Sequence, residues 1–194
     1  LALPGLSILP PPRGRAVLRT WIRSEGFPVP GSVLLERVLC EMVTAARDRN
    51  PLVHWPGVEI RRFRDRLYIM RPLIPLADNP SLAWDGVSAL PLPAGIGRLE
   101  VCLAPGGLSL SHWRTARIEI HFNPGQQAGV RIAGRDHSTS FKKLFQQFAV
   151  PVWSRPRTPF VYLNGELAAV GDLCICSPFA APQSEQGIHS RWVS

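Results

Sequence analysis

Apolar residues recur with two different periods along this chain, and the change of period divides it. In the first third the spacing is helical. Residues 15–24 carry Val17, Leu18, Trp21 and Ile22 on one face, and Gly26, Pro28 and Pro30 then supply a series of stop signals. A second run opens at Ser32, a candidate N-cap, and keeps Leu35, Val38, Leu39, Met42, Val43 and Ala46 in helical register until Asn50 and Pro51 end it. The spacing predicts two helices that pack as a short antiparallel pair.

The period then drops to two. Residues 58–64 and 66–70 alternate as two strands turning near Asp65, which predicts a hairpin crowded with Arg61, Arg62, Arg64 and Arg66. Residues 72–92, rich in Pro and Leu with Asp78, Asn79 and Pro80 in sequence, read as a connector with little regular structure. A domain boundary is placed there, giving domains 1–76 and 77–194. Beyond it, residues 97–103, 117–122 and 130–133 alternate as strands, and 160–163 with 167–170 flank Asn164-Gly165, a strong hairpin turn. One principal helix interrupts them, with Phe141, Leu144, Phe145 and Phe148 on one face and Ser138, Thr139 and Ser140 as candidate N-caps. The expected fold class is α+β: a helical pair with a β-hairpin, then a mostly β domain whose core spans about residues 128–180.

Charge changes the picture from architecture to partner. The 194 residues hold 22 Lys and Arg against 14 Asp and Glu, a net charge of +8 with a pI near 10.3. That excess favours an acidic partner, a nucleic acid or an anionic surface. Between residues 131 and 157 the cations Arg131, Arg135, Lys142, Lys143, Arg155 and Arg157 face one anion, Asp136, and the two lysines are the only ones in the chain. Both fall in the first turn of the principal helix, where they oppose the macrodipole at a cost of about 0.3 to 1 kcal/mol each. An incoming phosphate would relieve that repulsion and use the free N–H groups of the first turn; a solvated charge run would merely tolerate it. The hairpin arginines form a second basic cluster, open to two readings, RNA contact or the protection of an edge strand.

Chemistry, by contrast, is marked by absences. Cys40, Cys102, Cys174 and Cys176 lack the spacing of a zinc or redox site and are expected to be reduced, buried or half-buried residues of a cytoplasmic protein. The five histidines show no ligand spacing, so no metal site is expected. Gly95-Ile96-Gly97 precedes a strand and reads as a turn; there is no P-loop, no G-x-S-x-G elbow and no H-E-x-x-H, and Asp136 beside His137 has no nucleophile to serve. No apolar run reaches eighteen residues, so no membrane span is expected. The start lacks both a charged leader and an initiator Met, which is expected of a processed or excised fragment.

The ordered residues themselves resemble a known family. Gly134-Arg135, Ser140-Phe141-Lys142-Lys143-Leu144-Phe145-Gln146, Val150-Pro151-Val152-Trp153-Ser154-Arg155, Thr158-Pro159 and Ala169-Val170-Gly171-Asp172-Leu173 look like the C-terminal domain of bacterial tRNA(Ile)-lysidine synthetases. Leu18-Arg19-Thr20-Trp21-Ile22 through Gly26, Ala46-Arg47-Asp48, and 58–64 through Leu67-Tyr68 resemble the substrate-specificity domain of the same enzymes. One departure is visible, Val150-Pro151-Val152-Trp153 where many members read Val-Pro-Pro-Trp.

The resemblance implies a ligase that uses ATP to adenylate the wobble cytidine of an isoleucine tRNA and joins the lysine side-chain amine to it. Its N-terminal PP-loop domain, marked by Ser-Gly-Gly-x-Asp-Ser, carries that chemistry and would need ATP and magnesium; the motif is not in this sequence. The chain is therefore expected to grip tRNA, by its acceptor arm, with no cofactor and no catalytic residue of its own. The resemblance also allows a homodimer of the parent. The expected RNA contacts are Arg135, Ser138, Ser140, Lys142, Lys143, Arg155 and Arg157, with Trp153 either stacking on RNA or packed in the core, and Arg61, Arg62 and Arg64 in the hairpin. Two other classes stay open at this point, a self-standing RNA-binding adaptor and a small hydrolase with an unrecognised site.

Overall fold

A computed structural model describes residues 1–46, 49–77, 80–124 and 129–193. The chain divides into two compact units, Leu1–Leu73 and Ile74–Ser194, so the division falls between residues 73 and 74 where the sequence suggested 76 and 77.

The first unit begins with α1 (Leu3–Ser7) and α2 (Pro11–Ser24). α2 starts four residues before the predicted position, because Pro11 and Pro12 occupy the first turn, where a missing N–H leaves no hydrogen bond unmade. α3 (Ser32–Arg37) runs on through a π turn at Val38–Met42, and helical residues stop at Thr44 rather than at Asn50; Arg47 and Asp48 lie outside the described residues. Its N-cap is Gly31, and Ser32 makes no capping bond. Three antiparallel strands follow, β1 (Leu52–Trp55), β2 (Val58–Phe63) and β3 (Arg66–Met70), in the order β1-β2-β3. Sequence reasoning found β2 and β3 and missed β1. Leu18, Ile22, Leu35, Val38 and Met42 from the helices close onto Val53, Val58, Ile60 and Leu67 from the sheet.

The second unit has nine strands and two α-helices among its described residues. In chain order they are β4 (Ser81–Trp84), β5 (Leu90–Leu92), β6 (Gly97–Pro105), β7 (Leu108–Ser109), α4 (Leu110–Thr115), β8 (Ile118–His121), α5 (Phe141–Gln147), β9 (Phe160–Leu163), β10 (Glu166–Val170), β11 (Cys174–Ile175) and β12 (Gln186–Val193). The expected connector at 72–92 thus contains two strands, each too short to show an alternation in sequence. The reverse error occurs at 130–133, where Val130 and Ile132 make only isolated bridges, to Thr139 and Cys176. Cys40 and Cys102 are exposed, against the expectation that all four cysteines are buried or half-buried.

Two sheets form, a five-stranded one in the order β11-β10-β9-β8-β4 and a four-stranded one in the order β5-β6-β12-β7. One core lies between them, built from Leu99, Leu108, Ile118, Ile120, Val161, Leu163 and Ile188. A second core lies on the other face of the five-stranded sheet, where Val130, Leu144, Phe145, Phe160, Tyr162 and Val170 meet. β9 serves both, with Val161 and Leu163 on one side and Phe160 and Tyr162 on the other, which is why all four of its residues are buried. The β9–β10 hairpin turns at Asn164 and Gly165, both at positive φ (50° and 82°), as an Asn-Gly turn requires.

Candidate nucleic-acid interface

α5 is positioned by its apolar face. Leu144 and Phe145 are buried, and Phe141 and Phe145 meet Phe160 edge-on at ring separations of 5.4 and 6.5 Å. Ser140 is the N-cap, its hydroxyl accepting from the Lys143 backbone N–H at 3.4 Å. With that face held down, Lys142 and Lys143 project from the opposite side, exposed, and among the described residues neither makes an ion pair. Arg135 is tethered to the same helix through Gln147 Oε1 at 3.0 Å and is also exposed, as are Asp136, His137 and Ser138 before it. Phe148, expected on the apolar face, lies just past the helix end as its C-cap and is 39% exposed.

The other expected contacts separate by what their polar atoms already hold. Arg155 donates to the Val150 carbonyl at 3.2 Å and lays its guanidinium over the Phe145 ring, 5.9 Å from its centre. Arg157 donates to the carbonyls of Ile74 (2.7 Å) and Ala94 (2.6 Å), and burial lowers its pKa. Both are half-buried, and both have bonds that fix the chain around the turn at Arg155–Arg157. Trp153 is half-buried.

In the first unit the hairpin arginines prove unlike one another. Arg61 is half-buried and paired with Glu59 at 2.8 Å. Arg64 sits at the turn with φ of 53° and its guanidinium 5.4 Å from the Phe63 ring centre. Arg62, expected as an RNA contact, is instead turned inward. It is 8% exposed and donates to the carbonyls of Met42 (2.6 Å), Ala45 (2.8 Å) and Arg64 (3.0 Å), capping the end of the helix above it. The signal was available in the sequence: a period of two that puts Val58 and Ile60 inside puts Arg62 inside as well.

Elsewhere the chemistry is sparse. Among the described residues no three His, Cys, Asp or Glu side chains are grouped to hold a metal ion, and no helix is long and apolar enough to cross a membrane. Cys176, buried beside Cys174, has its thiol pushed up by its hydrogen bond with Cys174 and by burial. What the second unit offers a partner is a cationic, hydrogen-bonding ridge along α5.

Comparison with known proteins identifies the family. Residues 1–68 match the family described as TilS substrate binding domain, and residues 118–192 match the TilS substrate C-terminal domain. The strands β4 to β7 and α4 fall between the two matches. The chain is 36% identical over 187 residues to a tRNA(Ile)-lysidine synthase of Coxiella burnetii, covering 94% of this chain and 41% of that protein. It is 37% identical over 188 residues to the enzyme of that name from Methylococcus capsulatus (95% and 42%) and 31% identical over 205 residues to the one from Yersinia pseudotuberculosis (99% and 45%). The chain thus spans less than half the length of these relatives. Two consecutive domain matches and relatives of one name along nearly its whole length mean that the chain belongs to the TilS family, of which it carries the substrate-binding and C-terminal domains.

Proposed function

We propose that this chain is the tRNA-gripping region of a tRNA(Ile)-lysidine synthase. It holds an isoleucine tRNA, by the acceptor arm, while ATP- and magnesium-dependent joining of lysine to the wobble cytidine belongs to a PP-loop domain whose motif this sequence does not contain. The parent would work in the cytoplasm, where its substrate is made, and its dimerisation stays within this proposal. The observation that carries the reading is the α5 ridge: Lys142 and Lys143 exposed in the first turn, without an ion pair among the described residues, next to Arg135 and Ser138. Phosphate oxygens from an RNA backbone would supply the counter-charge that this turn lacks.

Double-stranded RNA presents phosphates and 2′-hydroxyls rather than accessible base edges, so a rigid cationic ridge suits its shape. The test is the salt dependence of tRNA binding. K142A/K143A should reduce the slope of log K against log salt by about 1.4 to 1.8, from two lost phosphate contacts, with the circular dichroism spectrum unchanged. An unchanged slope in a folded variant would remove α5 from the interface.

A further inference from the structure

The charge of this chain is not concentrated where the basic segment suggests. Residues 1–73 contain twelve arginines and six acidic residues, whereas residues 74–194 contain ten cations and eight acidic residues. Net charge is therefore +6 in the first unit and +2 in the second. The hairpin does not account for the surplus, since Arg62 is turned inward and Arg61 is paired with Glu59. α2 accounts for more of it. Arg13, Arg19 and Arg23 on this helix are all exposed, and among the described residues none of them makes an ion pair.

The helix geometry sets these charges in a line. Gly14, Leu18 and Ile22 form the buried stripe, with Gly14 letting Leu39 approach so closely that a Cβ would lie 3.2 Å from its methyl. Arg15, Arg19 and Arg23, spaced by four, run along an adjacent stripe toward solvent, with steps of about 6 Å. Arg15, at the N-terminal end of that stripe, is neutralised by Glu36; Arg19 and Arg23, among the described residues, are not. The nearest acid in sequence, Glu25, lies past the helix end and accepts from the Trp21 indole N–H at 3.1 Å. Like charges at this spacing oppose the helix they stand on, and a second strand of negative charge laid along it reverses the sign of that interaction.

We propose that the outer face of α2, through Arg19 and Arg23, is a second RNA-backbone contact, independent of α5 and located in the first unit. The proposal rests on the tRNA-binding reading above and extends it to a surface that the hairpin had seemed to provide. Guanidinium groups in a rigid row suit phosphates, because each presents a planar fork of donors and none can lose its charge. The contact reads no sequence; it fixes register along the RNA.

The experiment uses the whole chain and unmodified tRNA transcript, with binding followed by fluorescence anisotropy between about 50 and 200 mM salt. R19A/R23A should flatten the salt slope by about 1.4 to 1.8 and weaken binding roughly tenfold at the upper salt. R19K/R23K should keep most of the slope, and R114A/R191A, which removes the same charge from exposed positions in the second unit, should leave it unchanged. If R19A/R23A binds with the original slope, or if R114A/R191A loses as much, α2 is not a contact while the function stands. Failure of the unsubstituted chain to bind tRNA would overturn both readings, and retained binding to an acidic protein surface instead would assign the patch to a different partner.

Discussion

Arg62 is the residue whose replacement most directly tests how the first unit holds together. Its guanidinium donates to Met42, Ala45 and Arg64 carbonyls at 2.6 to 3.0 Å, and two of those acceptors belong to the helix end, where no backbone N–H is left to satisfy them. Hydrogen bonds from a charged donor contribute about 1.5 to 3 kcal/mol each but do not add fully. Ala45 is half-buried and Thr44 exposed, so water would reach part of the vacated space. Arg62→Ala should therefore cost about 3 kcal/mol, set against a total of roughly 4 to 11 kcal/mol for a unit of this size. In a thermal scan of the whole chain the transition of the first unit should fall by roughly 12 to 24 °C. Urea denaturation with hydrogen exchange at the amides of residues 38–44 gives the free energy directly. A loss below about 1 kcal/mol would refute the capping role. Lost tRNA binding in an otherwise unshifted protein would return Arg62 to the RNA interface.

Gly187→Ala places a Cβ 2.0 Å from the Gly106 carbonyl oxygen and 2.7 Å from that of Leu108, both backbone atoms, so β12 must part from β7. The expected cost is about 3 kcal/mol or more, read from denaturation of the second unit, and a variant as stable as the parent would contradict that close approach. Asp85 accepts from the backbone N–H groups of Val87 and Ser88, each at 2.9 Å, and the first of these bonds chiefly holds its carboxyl below the ordinary range. Its contribution to stability is therefore complete above the unfolded-state pKa and lost as pH falls through the lower folded value. Carboxyl carbon shifts in an NMR titration should show that low midpoint, and a midpoint at or above the usual aspartate value would disprove the turn's hold on the side chain.

How much of this was legible in the sequence follows from how far apart the partners lie. The β2–β3 and β9–β10 hairpins pair across two-residue turns, Arg64-Asp65 and Asn164-Gly165, so period and turn chemistry reveal them together. β12 and β6 pair Cys102 with His189 across 87 residues, and no local pattern announces such a partner. β10 shows a subtler failure. Leu167 and Val170 share one face although they are three apart, because the register slips between Leu167 and Ala169. Around α5, the exposed lysines opposite the apolar face were legible from helical spacing, while the N-cap was narrowed only to Ser138, Thr139 or Ser140, of which the structure uses Ser140. The bonds of Arg155 and Arg157 were not, because composition counts a guanidinium as surface charge whether it meets solvent or a carbonyl; the inward turn of Arg62 was open to the period of β2 and was overlooked.

A strand buried on both sides links whatever lies above it to whatever lies below. β9 gives Val161 and Leu163 to the space between the sheets and Phe160 and Tyr162 to the underside of α5, so neither core can open without the other losing its wall. The second unit should accordingly melt as one cooperative body, with β9 amides exchanging only through its global opening. The lysine ridge is then no independent flap: its pose is underwritten by side chains deep between the sheets, and damage there would, on the proposed function, surface as weakened RNA binding without a single cation being touched.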